Sequence, residues 1–89
     1  MNHREPNSNR RKVLFVVYSN GLEEMSYPEV YRNLRGVLTE EEVYKTMNRL
    51  VKGNLVTTRR DYSKGISYVK ILKSRIKVTE DLLRESRLI

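Results

Sequence analysis

The hydrophobic positions of the chain fall into short separate runs, and the first run fits two kinds of element. Residues 13 to 18 form an unbroken apolar run of six residues, and a run of that length suits a buried strand or a buried helix. Its β-branched content favours a strand, whereas its position ahead of further helices and its stop at Asn20-Gly21 favour a helix. We adopt the helix. Residues 1 to 9 before it are polar and lack apolar periodicity, which predicts a flexible basic arm.

Two later segments carry the pattern of capped helices. In the first, Ser26 is placed as N-cap with Glu29 three residues on and Pro28 in the first turn, which predicts a helix over residues 27 to 34. In the second, Thr39 is the N-cap and Glu42 is the third helical residue. An apolar stripe at helical spacing then runs to a stop at Gly53: Val43, Met47, Leu50 and Val51. Gly36, in the short connection between the two helices, is free to take a positive φ. Two helices joined in this way are typical of a helix-turn-helix.

After Gly53 the pattern changes from helical spacing to alternation. Residues 55 to 62 and 66 to 73 have the β-branched and aromatic content of strands, and Gly65 suits the loop of a hairpin. A lone hairpin is marginally stable, so it has to pack on the helices. The packing residues we expect are Leu55, Val56, Val69 and Ile71. Residues 78 to 89 predict a final helix with Thr79 as its N-cap.

The order helix, helix, helix, basic hairpin, helix resembles the winged helix-turn-helix family of DNA-binding domains. The resemblance rests on residues 25 to 71, above all on `LTEEEVYKTMNRLVKGNLV`, which is similar to that family's recognition helix and first wing strand. It implies an α+β, mostly helical fold with three helices, a two-stranded β wing and a C-terminal helix. The domain would cover residues 10 to 77, and residues 78 to 89 would be an element for dimerisation. Small prokaryotic, archaeal or viral transcriptional regulators are the implied class.

The distribution of charge along the chain indicates a polyanionic partner. The formal net charge is +7, and the excess is concentrated in the N-terminal arm and the hairpin. Residues 55 to 77 hold seven basic side chains against the single acidic Asp61. Such a concentration is the electrostatic footprint of a nucleic-acid partner, although charge alone does not separate DNA from RNA or from an anionic membrane surface.

The resemblance assigns residues to the DNA contact. Residues 39 to 52 become the recognition helix in the major groove, where Asn48 can pair with adenine and Lys45 with guanine. The side chains implied on that helix are Tyr44, Lys45, Asn48, Arg49 and Lys52. The wing adds Arg59, Arg60 and Lys64 on backbone or minor groove, and the arm adds Arg10 and Arg11 as a minor-groove contact. At the same helix end, the carboxylates of Glu40, Glu41 and Glu42 would repel phosphate. A second hypothesis is therefore a winged-helix module that binds protein. A third hypothesis is RNA binding through the hairpin.

Other classes of protein have little support. The chain has no Cys, its only His lies in the predicted arm, and its carboxylates cluster at helix starts where capping explains them. We therefore expect no enzyme, no cofactor, no metal site and no small-molecule ligand. The longest apolar run is too short for a membrane span or a signal peptide. The expected partners are double-stranded DNA and a second copy of the chain. The second copy is expected because the core of so small a domain is thin. The expected location is the cytoplasm of a prokaryotic cell or an infected host.

Overall fold

The computed structural model describes residues 6 to 89, and their side chains from Ser8 onward. Over residues 6 to 89, four α-helices and three strands follow one another in a single α+β unit. In chain order they are α1 (Pro6–Ser19), β1 (Met25–Ser26), α2 (Tyr27–Leu34), α3 (Glu40–Lys52), β2 (Val56–Asp61), β3 (Ile66–Ile71) and α4 (Ile76–Glu85), with a 3-10 turn, Lys73–Arg75, ahead of α4.

The ambiguous run of residues 13 to 18 is helical, as we expected, and its helix is longer than the run. Val13, Leu14 and Val17 are fully buried on one side of α1, and this spacing joins them on one helical face. The predicted arm is wrong for residues 6 to 9, which form the first turn of α1. Pro6 is compatible with a first helical turn because its missing N–H would be unpaired there in any case. The remainder of the predicted arm, residues 1 to 5, lies outside the described residues.

Both capping boxes are confirmed. The Ser26 hydroxyl accepts the Glu29 backbone N–H at 3.3 Å, and the Glu29 carboxylate accepts the Ser26 N–H at 3.3 Å. At α3 the Thr39 hydroxyl accepts the Glu42 N–H at 3.1 Å, and the Glu42 carboxylate accepts the Thr39 N–H at 2.9 Å. Gly36 takes a φ of +88° in the connection. Local pairing of backbone donors thus fixes where both helices of the helix-turn-helix begin.

The stop after α3 differs in detail from the prediction. Gly53 caps the helix with a φ of −81°, and its N–H donates to the Arg49 carbonyl. Asn54 is the residue in the left-handed region, with a φ of +59°. Asn tolerates that region because its short polar side chain can bond locally. The left-handed residue after α3 is therefore Asn54, one position later than the predicted Gly53.

The sheet has three antiparallel strands in the order β1-β3-β2. The hairpin of β2 and β3 was predicted, and Gly65 takes a φ of +66° in its loop. The Asp61 carboxylate fixes that loop by accepting the backbone N–H groups of Ser63 at 3.1 Å and Lys64 at 3.2 Å. The pairing of β1 with β3 was not predicted, since two residues are too few to show an alternating pattern.

Alternation along the hairpin gives the sheet two distinct faces. The inner face packs on the helices through Val56, Val69 and Ile71, all buried as predicted, with Leu55 half-buried beside them. Because side chains alternate along a strand, Thr58, Arg60 and Ser67 share the inner face. The outer face carries the other set of cross-strand partners: Thr57 with Lys70, Arg59 with Tyr68, and Asp61 with Ile66.

The last helix, predicted over residues 78 to 89, starts earlier, at Ile76, and ends earlier, at Glu85. The backbone passes from β3 through the 3-10 turn into α4, and Arg75 at the N-cap position makes no side-chain cap. Thr79 is therefore an interior residue of the helix, and its predicted role as N-cap is wrong. Its side chain is fully buried, near Leu83, which joins the core. Tyr18 of α1 donates a hydrogen bond of 2.7 Å to the Glu80 carboxylate and links the first helix to the last.

Candidate nucleic-acid interface

One face of α3 is polar and exposed along its length. Val43, Met47 and Leu50 are buried, and the helical period turns the intervening residues toward solvent. The exposed predicted contacts are Lys45, Asn48, Arg49 and Lys52. The structure therefore presents these four side chains together, as the sequence predicted.

The three glutamates at the start of α3 are each engaged by a neighbour. Glu42 forms the capping box with Thr39. Glu41 forms an ion pair of 3.2 Å with Lys45, one turn later and exposed. The Glu40 carboxylate lies close enough to Tyr44 to help raise the pKa of its phenol, although burial is the larger cause. An exposed pair such as Glu41–Lys45 contributes little to stability, so Lys45 can exchange this carboxylate for another partner.

Tyr44 does not project freely from α3. Its ring packs against Tyr27 at the start of α2, with ring centroids 5.6 Å apart and planes tilted by 47°. Burial is the main cause that raises the pKa of Tyr27, and a hydrogen bond with Thr58 of β2 opposes it. Tyr27 therefore lies close to both α3 and β2. The aromatic pair packs α3 against the start of α2.

A groove of about 350 Å³ separates α3 from the wing. Asn48 and Tyr44 form one side of it, and Arg60 forms the other, where its guanidinium donates to the Ser67 hydroxyl at 3.0 Å. The full lining is Tyr27, Pro28, Tyr44, Asn48, Arg60, Gly65, Ile66 and Ser67. Sequence reasoning missed Tyr27, Pro28 and Ser67 here. For Ser67 the alternation of the strands, which puts it opposite Arg60, was the available signal.

Arg59 lies on the outer face, away from this groove. Its guanidinium donates to both carboxylate oxygens of Glu24, with contacts of 2.8 and 2.9 Å, and it lies over the Tyr68 ring at 4.6 Å from the centroid. The hydrogen bond from Arg59 holds the pKa of Glu24 below its usual value. The structure thus separates Arg59 from Arg60, although the sequence analysis had grouped them in one contact.

Lys64 is exposed in the hairpin loop beside Tyr62, whose side chain is 87% exposed. Both stand at the tip of the wing. Sequence reasoning assigned Lys64 and overlooked Tyr62, which has the highest exposed fraction of the large hydrophobic residues described.

Arg10 and Arg11 lie on α1 and not in an extended arm. They line a cavity of about 160 Å³ with Leu14, Leu50, Leu55 and Leu82. Arg11 also lies 3.7 Å from the Glu85 carboxylate of α4. The structure does not bring these two arginines to the groove between α3 and the wing. Their contact with DNA stays a prediction.

Two kinds of feature do not occur in the described part of the chain. No cluster of three or more His, Cys, Asp or Glu side chains suited to a metal ion is present within residues 6 to 89. Over the same residues, no helix is both long and apolar enough to cross a membrane.

The short helix-turn-helix of α2 and α3, supported by α1 and α4 and followed by a β-hairpin, defines a winged helix-turn-helix fold, as predicted. Among solved structures the chain is similar to the adhesin competence repressor AdcR from Streptococcus pyogenes, with a TM-score of 0.67 and 11% sequence identity. The similarity covers 89% of this chain and 56% of the repressor chain, so this chain spans little more than half of that protein's length. No protein-family model and no curated protein matches the sequence. At this identity the similarity establishes the fold alone.

Proposed function

We propose that this chain binds double-stranded DNA in a sequence-specific manner and regulates transcription as a homodimer. The observation that carries the proposal is the groove between α3 and the wing, where a polar helix face and a basic strand face meet. Tyr44 and Asn48 line its helix side, and Lys45, Arg49 and Lys52 are exposed on the same helix. In this proposal they enter the major groove, while Arg60 and Lys64 contact the phosphate backbone or the adjacent minor groove.

Three further observations support it. The fold is that of a solved repressor, AdcR. The position of Glu42 at the start of α3 is explained by capping, because its carboxylate accepts the Thr39 N–H at 2.9 Å. The C-terminal helix leaves Val78 40% exposed, and the last residue, Ile89, is 45% exposed, which supports a second copy packing there. A two-fold dimer would read half-sites about one helical turn apart.

The test uses two adjacent arginines that carry equal charge on opposite faces. Arg60→Ala and Arg59→Ala change the net charge identically but remove a guanidinium from opposite faces, where Arg60 bonds Ser67 and Arg59 bonds Glu24. Binding of each variant to random-sequence duplex DNA is measured between about 50 and 200 mM salt, and removing one cation that neutralises a phosphate should reduce the logarithmic salt slope by about 0.9. We expect that reduction for Arg60→Ala and an unchanged slope for Arg59→Ala, whereas the resemblance assigned both arginines to the DNA contact.

Base reading is tested separately by selecting preferred sites with the wild-type protein. Asn48→Ala should then lose discrimination at particular base pairs by about 1–3 kcal/mol. Uniform weakening over all sequences would mean that Asn48 touches only backbone. Equal slope changes in both arginine variants would refute the assigned orientation of the wing. Undetectable binding at about 50 mM salt, where phosphate contacts are strongest, would refute DNA binding and favour a protein or RNA partner.

A further inference from the structure

A second concave site lies on the opposite side of the sheet from the α3 groove. It is a cleft of about 340 Å³ at the end of β3, between the segment that precedes β1 and the start of α4. Its lining, which defines the outer cleft, is Leu22, Thr57, Lys70, Ile71, Leu72, Lys73 and Ile76. Leu22, Leu72 and Ile76 are half-buried aliphatic residues of its walls, Ile71 is buried on the inner face of the sheet, and the two lysines are exposed at the rim. The outer cleft is therefore an apolar pocket with a basic edge.

The outer cleft is separate from the proposed DNA surface. Lys70 is the cross-strand partner of Thr57 on the outer face, whereas Arg60 and Ser67 are paired on the inner face toward α3. Because neighbouring residues of a strand point to opposite sides, a duplex seated on α3 does not cover Lys70. The two surfaces can therefore be occupied at the same time.

The basic edge of the cleft is not neutralised by an ion pair within residues 8 to 89. Lys70, Lys73, Arg75 and Lys77 are all exposed, and none of them forms an ion pair with another side chain of residues 8 to 89. The charge of Lys70 helps to lower the pKa of Glu24, but both oxygens of that carboxylate already accept hydrogen bonds from Arg59. The cleft consequently offers free positive charge beside apolar surface.

Leu22 gives a second reason to regard the cleft as a built feature. It has a φ of +67°, in the left-handed region that a leucine rarely adopts, and it stays half-buried against the core. A strained backbone persists only where its surroundings hold it. Here the strain places an aliphatic side chain in the wall of the cleft, opposite Leu72 and Ile76.

We propose that the outer cleft docks a short acidic segment of a protein partner. One large apolar side chain of that segment would enter between Leu22, Leu72 and Ile76, and flanking carboxylates would pair with Lys70 and Lys73. A duplex suits this site poorly, because phosphates match the lysines but leave the aliphatic walls without a partner. The inference does not rest on DNA binding by α3. It describes a contact that stays available while the opposite face is occupied.

The experiment uses three synthetic peptides of one length as probes: an acidic peptide with a central Leu-Phe pair, the same peptide with Ala-Ala in the centre, and a basic peptide with Leu-Phe. Each is titrated into ¹⁵N-labelled protein at about 150 mM salt, where long-range charge effects are screened beyond about 8 Å. We expect the acidic Leu-Phe peptide to shift the amide signals of Leu22 and of residues 70 to 76. The other two peptides should bind at least tenfold more weakly, a difference of about 1.4 kcal/mol.

Two matched double variants identify which lysines contribute to peptide binding. Lys70→Glu with Lys73→Glu should weaken the acidic Leu-Phe peptide about tenfold or more. Lys45→Glu with Lys52→Glu makes the same change in net charge on α3, and it should leave peptide affinity within about twofold. Circular dichroism confirms that both variants fold, and the wild-type comparison of the three peptides remains decisive if one does not.

Four outcomes would overturn the proposal. Equal affinity for the Leu-Phe and Ala-Ala peptides would mean charge attraction without a cleft. Amide shifts confined to α3 or the wing tip would move the site elsewhere. If Lys70→Glu with Lys73→Glu weakened duplex DNA as much as the α3 variant, the cleft would belong to the nucleic-acid surface. If that variant instead abolished self-association in sedimentation runs, a second copy of this chain would be the occupant.

Discussion

The buried hydroxyl of Thr79 should lower the free energy of unfolding, and Thr79→Val should therefore stabilise the protein. Thr79 lies inside α4 with no solvent exposure, and its Oγ1 has no hydrogen-bond partner among the described residues. Valine replaces that hydroxyl by a methyl group of nearly the same size. The substitution thus removes an unpaired polar atom and leaves the packing in place.

The magnitude follows from the cost of an unsatisfied buried donor and acceptor, which is about 1–3 kcal/mol. Helix propensity does not offset it, because Thr and Val differ little in a helix interior, by roughly a few tenths of a kcal/mol. We expect the free energy of unfolding to rise by about 1–2 kcal/mol. For a domain of this size, that corresponds to an increase in Tm of about 4–8 °C for each kcal/mol.

Urea titration followed by circular dichroism measures the change, with Thr79→Ser as the matched control. Serine keeps the hydroxyl and removes the methyl group, so Thr79→Ser should lower stability by roughly 1 kcal/mol through the small cavity it leaves. The expected order of stability is Val, then Thr, then Ser. If Thr79→Val were less stable than the wild type, the hydroxyl would have to be hydrogen-bonded in solution, and the reasoning would be wrong.

Three further predictions concern the elements that position α3 and the wing. Thr39→Ala removes the N-cap of α3 and should lower the free energy of unfolding by about 1 kcal/mol in urea titration, whereas an unchanged midpoint would mean that the cap is redundant with Glu42. Gly36→Ala places a Cβ at a φ of +88° where no atom lies within 4 Å, so any decrease in Tm, which we expect to reflect about 1 kcal/mol, comes from the backbone alone; an unchanged Tm would mean that the turn relaxes. Glu24→Gln tests the ion pair with Arg59: since Glu24 has a folded pKa below its ordinary value near 4.5, its stabilising effect is present above 4.5 and is lost as the pH falls through the folded pKa. Thermal unfolding of the wild type and this variant should differ at pH 7 and converge at low pH, and a constant gap would contradict the pairing.

The parts of the fold that the sequence predicted are those fixed by neighbours in the chain. Each capping box needs two residues three positions apart, and both are visible as Ser26 with Glu29 and as Thr39 with Glu42. The exposed face of α3 follows equally from its apolar period. These signals are strong because the interaction that stabilises the element is contained within one helical turn.

The parts that were missed depend on contacts between distant segments. Strand β1 exists because Met25 and Ser26 pair with Val69 and Tyr68, and no pattern over two residues indicates that pairing. Thr79 satisfied the sequence rule for an N-cap, but the chain reaches α4 already turning, through the 3-10 segment after β3. Tertiary geometry overrode a local preference there, which is the expected failure of reasoning from local propensity.

The division of basic charge in the hairpin is a consequence of strand alternation, and it changes what that charge means. Arg59 and Arg60 are adjacent in sequence, yet one is held by Glu24 on the outer face and the other bonds Ser67 in the α3 groove. The net charge of residues 55 to 77 therefore cannot be assigned to one ligand. Arg60 and Lys64 suit a duplex on one side, whereas Lys70 flanks an apolar cleft on the other. Under the two proposals made above, a duplex and an acidic protein segment would bind opposite faces of the same two strands.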